Sequence, residues 1–171
     1  MDNDITATAH RYSFVHMATP LGRLLLAANA NALVGAWFEG QKDHPQTIGW
    51  QHDAVHPVLQ QAQQQLNAYF AGERSSFDLP LAFDWGTDFQ RQVWTALTHI
   101  GFGEITQYGV IAARIGRPQA SRAVGAAIGM NPISVIVPCH RVLGQNGSLT
   151  GYSGGIDRKR ALLRLEGHAI A

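Results

Sequence analysis

The chain has 171 residues, of which 46% are hydrophobic and 15% are charged, and its formal net charge is +1. This composition excludes a disordered chain and predicts one ordinary domain or two small ones. The nearly neutral balance excludes nucleic-acid binding through a global positive field, so any such binding must depend on local arrangement. A single cysteine excludes an internal disulfide.

The first residues, Met1 to Asp4, are acidic and lack the basic start and apolar run of a signal peptide. No apolar stretch in the sequence approaches the length of a membrane span. We therefore expect a cytoplasmic protein that has no membrane partner.

The first half of the chain is typical of a small sheet followed by a helix. Residues 10–40 contain apolar runs around the turn signal Asn29-Ala30-Asn31, which predicts an antiparallel meander. A polar loop is expected over 41–51. Apolar residues then recur at three- and four-residue spacing from Pro57 to Gly72, which predicts a helix, and residues 73–86 are expected to form an extended linker.

The second half of the chain predicts a series of helices. A capping box at Thr87 and Gln90 opens a helix that ends before Gly101. Two short helices are expected over 108–115 and 119–129, joined by a turn that contains glycine. This outline is that of a helix-turn-helix.

An apolar run at 133–137 predicts a buried strand that presents Cys139 at its end. Five glycines make residues 144–155 a loop. Asp157 is expected to cap a last helix, which Gly167 ends.

Cys139 is the only thiol in the chain, and His140 follows it directly. A thiolate is a strong nucleophile, and an imidazole partner commonly generates one. A lone cysteine is also often a small buried hydrophobic residue. The local sequence leaves both interpretations open.

The predicted helix at 119–129 has small side chains nearly throughout, and Arg122 is its only charge. Major-groove recognition helices usually carry several polar side chains that contact base edges. Small residues allow a helix to approach a narrow surface closely while the arginine projects from it. Close packing against another helix is the alternative, and this segment taken alone favours it.

The segment Pro138-Cys139-His140-Arg141-Val142 resembles the active-site signature of the O6-alkylguanine-DNA alkyltransferases. Further motifs of that family follow the same order, and the resemblance covers about residues 87–168. The N-terminal half is similar to the family only in outline. The further motifs are Gly103-Glu104-Ile105-Thr106-Gln107-Tyr108-Gly109, Ser121-Arg122-Ala123-Val124-Gly125, Asn131-Pro132, Tyr152-Ser153-Gly154-Gly155 and Leu165-Glu166-Gly167-His168.

The resemblance implies an α+β fold with two domains. Residues 1–85 would form a small N-terminal α/β supporting domain with an antiparallel sheet. Residues 86–171 would form a mainly helical C-terminal DNA-binding and alkyltransferase domain with a winged helix-turn-helix. The implied activity is direct-reversal DNA repair, in which the alkyl group of O6-alkylguanine moves irreversibly to Cys139 and each molecule acts once. No cofactor is implied, and activity on O4-alkylthymine stays open.

The resemblance also assigns catalytic roles. Cys139 is the nucleophile, His140 relays its proton through a water, and Glu166 orients that histidine. Tyr108 supplies a proton or hydrogen bond to the leaving guanine and crowds the neighbouring phosphate.

The expected partner is double-stranded DNA, bound through its minor groove with the alkylated guanine flipped out of the stack. Arg122 corresponds to the arginine that fills the vacated position, and Asn131 is expected to tie the turn that presents Cys139. A monomer is expected, and cooperative clustering on DNA stays open. The other expected DNA-contacting residues are Ser121, Ala123, Gly125 and Tyr108, and the expected pocket residues are Val142, Tyr152, Ser153 and Gly154.

One departure from the family concerns metal. Some relatives bind zinc through N-terminal cysteines and histidines, but no cysteine precedes Cys139 here, so no metal site is expected. His52 and His56 are four residues apart, a spacing that could place both side chains on one face of a helix. Two histidines without further ligands are a poor metal site, however. Two other functions stay open: a non-catalytic DNA-binding module and a cysteine hydrolase that uses Cys139 and His140.

Overall fold

The computed structural model describes residues 11–170, which form two compact units. The first unit contains residues 11–39 and 44–82, and the second contains residues 40–43 and 83–170. Among these residues, no helix combines the length and the apolar character needed to cross a membrane.

The first unit contains a four-stranded sheet with the strand order β3-β2-β1-β4. β1 (Ser13–Thr19), β2 (Gly22–Ala28) and β3 (Leu33–Phe38) pair antiparallel in succession, which confirms the predicted meander. β4 (Gln51–His52) pairs parallel with β1 and includes the last residue of the predicted loop. The sequence does not predict β4, because two polar residues carry no apolar alternation.

α1 (Pro57–Phe70) packs against this sheet and confirms the predicted helix. Proline suits the first helical position because its missing N–H would have no partner there, and the preceding His56 accepts the N–H of Val58 through Nδ1 at 3.2 Å. Gly72 lies just beyond the helix with a φ of +76°, which favours glycine. The buried face of α1 consists of Val58, Leu59, Ala62, Leu66 and Tyr69.

Four α-helices and a two-stranded parallel sheet make up the described part of the second unit. The predicted capping box opens the first of these helices, with Thr87 Oγ1 accepting the N–H of Gln90 at 3.1 Å. The elements in chain order are α2 (Asp88–Leu97), β5 (Thr106–Gln107), α3 (Tyr108–Arg114), α4 (Ser121–Gly129), β6 (Val142–Leu143) and α5 (Ile156–Leu165).

α3 and α4 form the predicted helix-turn-helix, and α2 packs against both. Gly116 lies in the connecting turn with a φ of +77°. The buried indole of Trp94 on α2 donates from Nε1 to the carbonyl of Ala127 on α4 at 2.7 Å. This bond fixes α4 against α2 at its apolar face.

The predicted strand at 133–137 is wrong, because these residues form successive tight turns. The N–H of Val137 donates to the Ile133 carbonyl at 3.0 Å, and Val135 has a φ of 71°. A branched side chain rarely adopts this left-handed conformation, which also interrupts any extended strand. The segment is buried, and an apolar run alone does not distinguish a buried strand from a buried turn.

The expectation that Asp157 caps the last helix is also wrong. α5 begins one residue earlier, and its N-cap is Gly155 with a φ of 95°. Asp157 lies instead in the first turn, where its carboxylate faces the positive end of the helix dipole and accepts from Arg160 at 3.0 Å.

Candidate active site

Cys139 opens a short 3₁₀-helix, Cys139–Arg141, directly after the turns at 133–137. The residue is only 3% exposed. Its backbone N–H donates to the Val137 carbonyl at 2.8 Å, and the N–H of Arg141 donates to the Pro138 carbonyl at 3.0 Å. These backbone bonds hold the thiol in one buried position.

Asn131 ties together the turns that precede Cys139. Its Nδ2 donates to the Val137 carbonyl at 2.9 Å, and its Oδ1 accepts the N–H of Ile133 at 3.0 Å. Asn131 is 2% exposed, and its polar atoms replace the strand pairing that this segment lacks.

Glu166, at the end of α5, joins His140 and Arg141 in one buried network. Its Oε2 accepts from Nε2 of His140 at 2.8 Å. Arg141 donates to both carboxylate oxygens, from Nε to Oε1 at 2.8 Å and from Nη2 to Oε2 at 3.0 Å. The side chains of His140 and Glu166 are fully buried. A bidentate contact of this kind between an arginine and a carboxylate favours the charged form of the carboxylate over the protonated form, and it fixes the plane of the carboxylate.

These contacts define the state of His140. Because Glu166 is an acceptor, Nε2 of His140 carries the proton, and Nδ1 holds the lone pair in the neutral ring. Nδ1 is buried without a hydrogen-bond partner in the described part of the chain. Burial lowers the pKa of His140 below its ordinary value, although the hydrogen bond and the charge of Glu166 oppose that shift. The ring is therefore a neutral base at neutral pH.

The thiol of Cys139 is protonated in the resting protein. Burial raises its pKa, while the hydrogen bond from Asn131 and the positive charge of Lys159 oppose the rise. A thiol is a poor nucleophile, so Cys139 must lose its proton during any reaction.

Lys159 is a buried residue of this site that the motifs did not single out. Its Nζ donates to the carbonyls of Val142 at 2.6 Å and Thr150 at 2.9 Å, and the residue is 1% exposed. Helical spacing contains a signal for it, because Lys159 shares the apolar face of α5 with Leu162 and Leu163.

A cavity of about 570 Å³ lies beside the helix-turn-helix. Tyr108 lines it, and its hydroxyl donates to the Thr150 carbonyl at 2.8 Å. The lining of this cavity contains four of the residues that were expected to contact DNA, and five residues to which the resemblance assigned no role. The first four are Tyr108, Ser121, Arg122 and Gly125, and the others are Gln107, Gly109, Gln145, Thr150 and Gly151.

The four expected pocket residues do not line this cavity. Val142, Tyr152 and Gly154 are buried, and Ser153 is half-buried. A Cβ at Gly154 would lie 2.7 Å from Cε1 of Tyr152, so this glycine makes room for the aromatic ring. Cys139 is not among the residues that line this cavity either.

α4 has two distinct faces. Val124, Ala127 and Ile128 are buried against the other helices, whereas Arg122 and Ala123 are exposed. The packed-helix interpretation therefore describes one face only. The other face presents small side chains and one guanidinium to solvent.

His52 and His56 do not share a helix face, because His52 lies in β4 and His56 precedes α1. Both ring nitrogens of His56 are engaged, Nδ1 with the N–H of Val58 and Nε2 with the carbonyl of Asn29 at 2.9 Å. Both nitrogens thus already have protein partners.

Two family models together match almost the whole described chain. Residues 11–83 match "6-O-methylguanine DNA methyltransferase, ribonuclease-like domain". Residues 88–168 match "6-O-methylguanine DNA methyltransferase, DNA binding domain". The second match contains Cys139 and the whole network around it.

Relatives span nearly the same length. A protein of Mycobacterium bovis named methylated-DNA–protein-cysteine methyltransferase is 51% identical to this chain, over 86% of this chain and 88% of that protein. A protein of the same name from Methanosarcina acetivorans is 49% identical, over 87% of this chain and 94% of that protein. The crystal structure of Mycobacterium tuberculosis O6-methylguanine methyltransferase superposes with a TM-score of 0.83 at 49% identity, covering 91% of this chain and 92% of that one. Mycobacterium tuberculosis OGT in complex with DNA gives 0.80 at 49% identity, covering 91% of each chain. On these matches, the chain belongs to the 6-O-methylguanine DNA methyltransferase family.

Proposed function

We propose that this protein repairs alkylated DNA in the cytoplasm by transferring the alkyl group of O6-alkylguanine to the sulfur of Cys139, once per molecule. Its relatives are named for transfer of a methyl group from DNA to a protein cysteine, and Cys139 is the only cysteine in this chain. The observation that carries the proposal is the buried network of His140, Glu166 and Arg141 next to that cysteine.

The proposed reaction is a single displacement. The thiolate of Cys139 attacks the alkyl carbon, an S–C bond forms, and the bond from that carbon to guanine O6 breaks. The electron pair of the broken bond stays on the guanine, which gains a proton or hydrogen bond from Tyr108. The product is a thioether, which offers water no acyl carbon to attack, so the cysteine is not regenerated.

The thiol proton leaves toward His140 through a water. Nδ1 holds the lone pair that accepts it, and the Nε2–H bond to Glu166 stabilises the resulting imidazolium. Arg141 keeps Glu166 charged, so the carboxylate does not take the proton for itself. The raised pKa of the buried thiol makes this base necessary.

Duplex DNA is the proposed partner, bound through its minor groove as a monomer. That groove is only about 6 Å wide, and the exposed face of α4 is small enough to approach it. Arg122 borders the cavity and would fill the position that the flipped guanine leaves.

Mass spectrometry of the Cys139 peptide tests this function. After incubation with duplex DNA that contains O6-methylguanine, we expect one added methyl group on Cys139 and restored guanine in the DNA. Cys139→Ser is the control and should bind the duplex without accepting a methyl group. An unmodified Cys139 would identify a non-catalytic DNA-binding protein, and repeated turnover of acyl substrates would identify a hydrolase.

Arg122→Ala tests base flipping. We expect it to slow repair of duplex DNA far more than reaction with free O6-methylguanine, because only the duplex requires a base to leave the stack. Arg164→Ala removes an exposed arginine from α5 and should change neither rate. Equal slowing of both reactions by Arg122→Ala would contradict a role in flipping.

A further inference from the structure

The sheet of the first unit has a face that is turned away from α1. Val15 and Met17 of β1 are 3% and 7% exposed. Phe14 and His16, which alternate with them, are half-buried. Successive side chains of a strand point to opposite sides of the sheet, so the buried pair faces the core under α1 and the half-buried pair lies on the other side. We call this side the outer face, and its aromatic and imidazole side chains are Tyr12, Phe14, His16, Trp37, Trp50 and His52.

Phe14 lies at the centre of a group of three rings on the outer face. The sheet register places Phe14 beside His52 of β4. The ring centroid of Phe14 is 5.5 Å from that of His52 and 5.7 Å from that of His16, and both contacts are close to perpendicular. His52 is exposed and the other two residues are half-buried, so a ligand in solvent can reach this group.

A second group of rings adjoins the start of β1. The ring of Trp50 lies 5.5 Å from that of Tyr12 and 6.1 Å from that of Trp37. The indole of Trp37 crosses over Gly35, where a Cβ would collide with the ring. The guanidinium of Arg11 lies over the Tyr12 ring, 5.6 Å from its centroid. The outer face therefore carries a run of adjoining rings that ends in an exposed cation.

Positive groups outnumber the negative one around His16. Arg23 on β2 is a permanent cation near its ring, and His52 on β4 and His44 in the loop before β4 add positive charge when they are protonated. Glu39, directly after β3, is the one carboxylate that acts on His16 in the described part of the chain. Burial is the main cause of the lowered pKa of His16, and these positive groups lower it further. With the cation at the other end of the face, an anion bound there would meet more positive than negative charge.

We propose that the outer face binds single-stranded DNA, whose bases stack on its rings and whose phosphates lie beside Arg11 and Arg23. Aromatic platforms of this kind bind unpaired bases with little regard to sequence, because every base has a π-face. A nucleotide offers both a planar base and a negative phosphate, which match the two kinds of group on this face. An apolar segment of a protein would match the rings alone.

This binding does not depend on the proposed transfer to Cys139. The outer face belongs to the first unit, and Cys139 belongs to the second. Only unpaired bases can stack on the rings, because the bases of a duplex are stacked on one another. The outer face would therefore select a single strand, whereas the partner proposed for α4 is a duplex.

Ultraviolet crosslinking maps the contact on the full chain. The probe is a single-stranded oligonucleotide in which 5-bromouracil replaces thymine, and mass spectrometry identifies the crosslinked peptides. We expect crosslinks in the peptides that contain Tyr12, Phe14 and Trp50. An absence of crosslinks from these peptides, with crosslinks confined to the second unit or none at all, would overturn the proposal.

Fluorescence anisotropy with two variants measures the two parts of the binding. Stacking of one base contributes about tenfold in affinity, so Tyr12→Ala should weaken binding of oligothymidine about tenfold and leave binding of an abasic strand unchanged. Arg23→Glu should weaken binding of both strands, most strongly at low salt, because it acts on the phosphates. Neither variant should change the affinity for duplex DNA.

Arg74→Glu is the matched control for charge. It makes the same change just after α1, which packs against the opposite side of the sheet, and should leave the affinity for single-stranded DNA unchanged. Circular dichroism verifies that each variant is folded. Unchanged affinity for oligothymidine in folded Tyr12→Ala and Arg23→Glu would overturn binding at the outer face. The proposed function fails separately, if wild-type Cys139 accepts no methyl group from duplex DNA.

Discussion

At the residue scale, Glu166 balances the charges of the site. It lies at the end of α5, where a glutamate is ordinarily solvated, yet its side chain is fully buried between His140 and Arg141. Removing one partner of a buried ion pair leaves the other charge uncompensated. The network is therefore expected to respond strongly to changes at this position.

Glu166→Gln should both destabilise the protein and slow methyl transfer. The neutral amide leaves the Arg141 charge unpaired, which costs about 3 kcal/mol of unfolding free energy, measured by urea denaturation. It also no longer stabilises a protonated His140, so transfer to Cys139 should slow in a single-turnover assay. Glu104→Gln, at an exposed position, should change neither quantity. Wild-type transfer by a folded Glu166→Gln would contradict the proton relay.

The lowered pKa values of His16 and His140 predict a loss of stability in acid. Burial is the main cause for both, so each folded ring binds its proton at a lower pH than the unfolded ring does. Their contribution is fully present above 6.5 and is lost as the pH falls below that value, because the unfolded state then takes up more protons. Urea denaturation across this range should show the free energy of unfolding falling with pH.

The control for this prediction is His140→Gln. It removes one of the two groups, so the dependence on pH should become shallower, with His16 supplying the remainder. A wild-type stability that stays constant as the pH falls below 6.5 would contradict the buried neutral state of His140.

At the element scale, α4 combines a packed face with an open one. Trp94 and the apolar side chains of α4 fix one face, and the other presents Arg122 and Ala123. The function proposed for the open face depends on its small side chains, because the helix must come close to a narrow groove.

Ala123→Leu tests the need for small side chains. The larger residue should slow repair of duplex DNA, while reaction with the free base and the unfolding free energy stay near wild type, since leucine suits an exposed helical position. Gln64→Leu, at an exposed position of α1, is the control for added apolar surface. Undiminished duplex repair by Ala123→Leu would argue against close approach of α4.

At the scale of the whole molecule, the net charge of +1 limits the electrostatic part of DNA binding. Affinity that depends on counterion release falls steeply with salt when a protein neutralises many phosphates. We expect modest affinity and a shallow slope of log Kd against log salt concentration, measured by fluorescence anisotropy on an unmodified duplex. A slope as steep as that of a protein with about six to ten phosphate contacts would contradict this.

The sequence predicted elements with local signals and missed features that depend on distant contacts. The meander, α1, the capped start of α2 and the helix-turn-helix all follow from periodicity, turn residues and caps. The turns at 133–137 were predicted as a strand because a buried apolar run has the same composition in both states. Asn131, which supplies bonds within those turns, lies outside the run itself.

The sequence by itself determined the family and its reactive centre, because the motifs around Cys139 are contiguous and carry their chemistry in residue type and order. The tertiary structure alone decided which further groups join that centre. Arg141 donates to Glu166, 25 positions away, and Lys159 donates to the Val142 carbonyl, 17 positions away, and no local pattern specifies either contact. Burial then sets the protonation of Cys139 and His140, because the cost of a charge depends on how much solvent the surrounding fold removes.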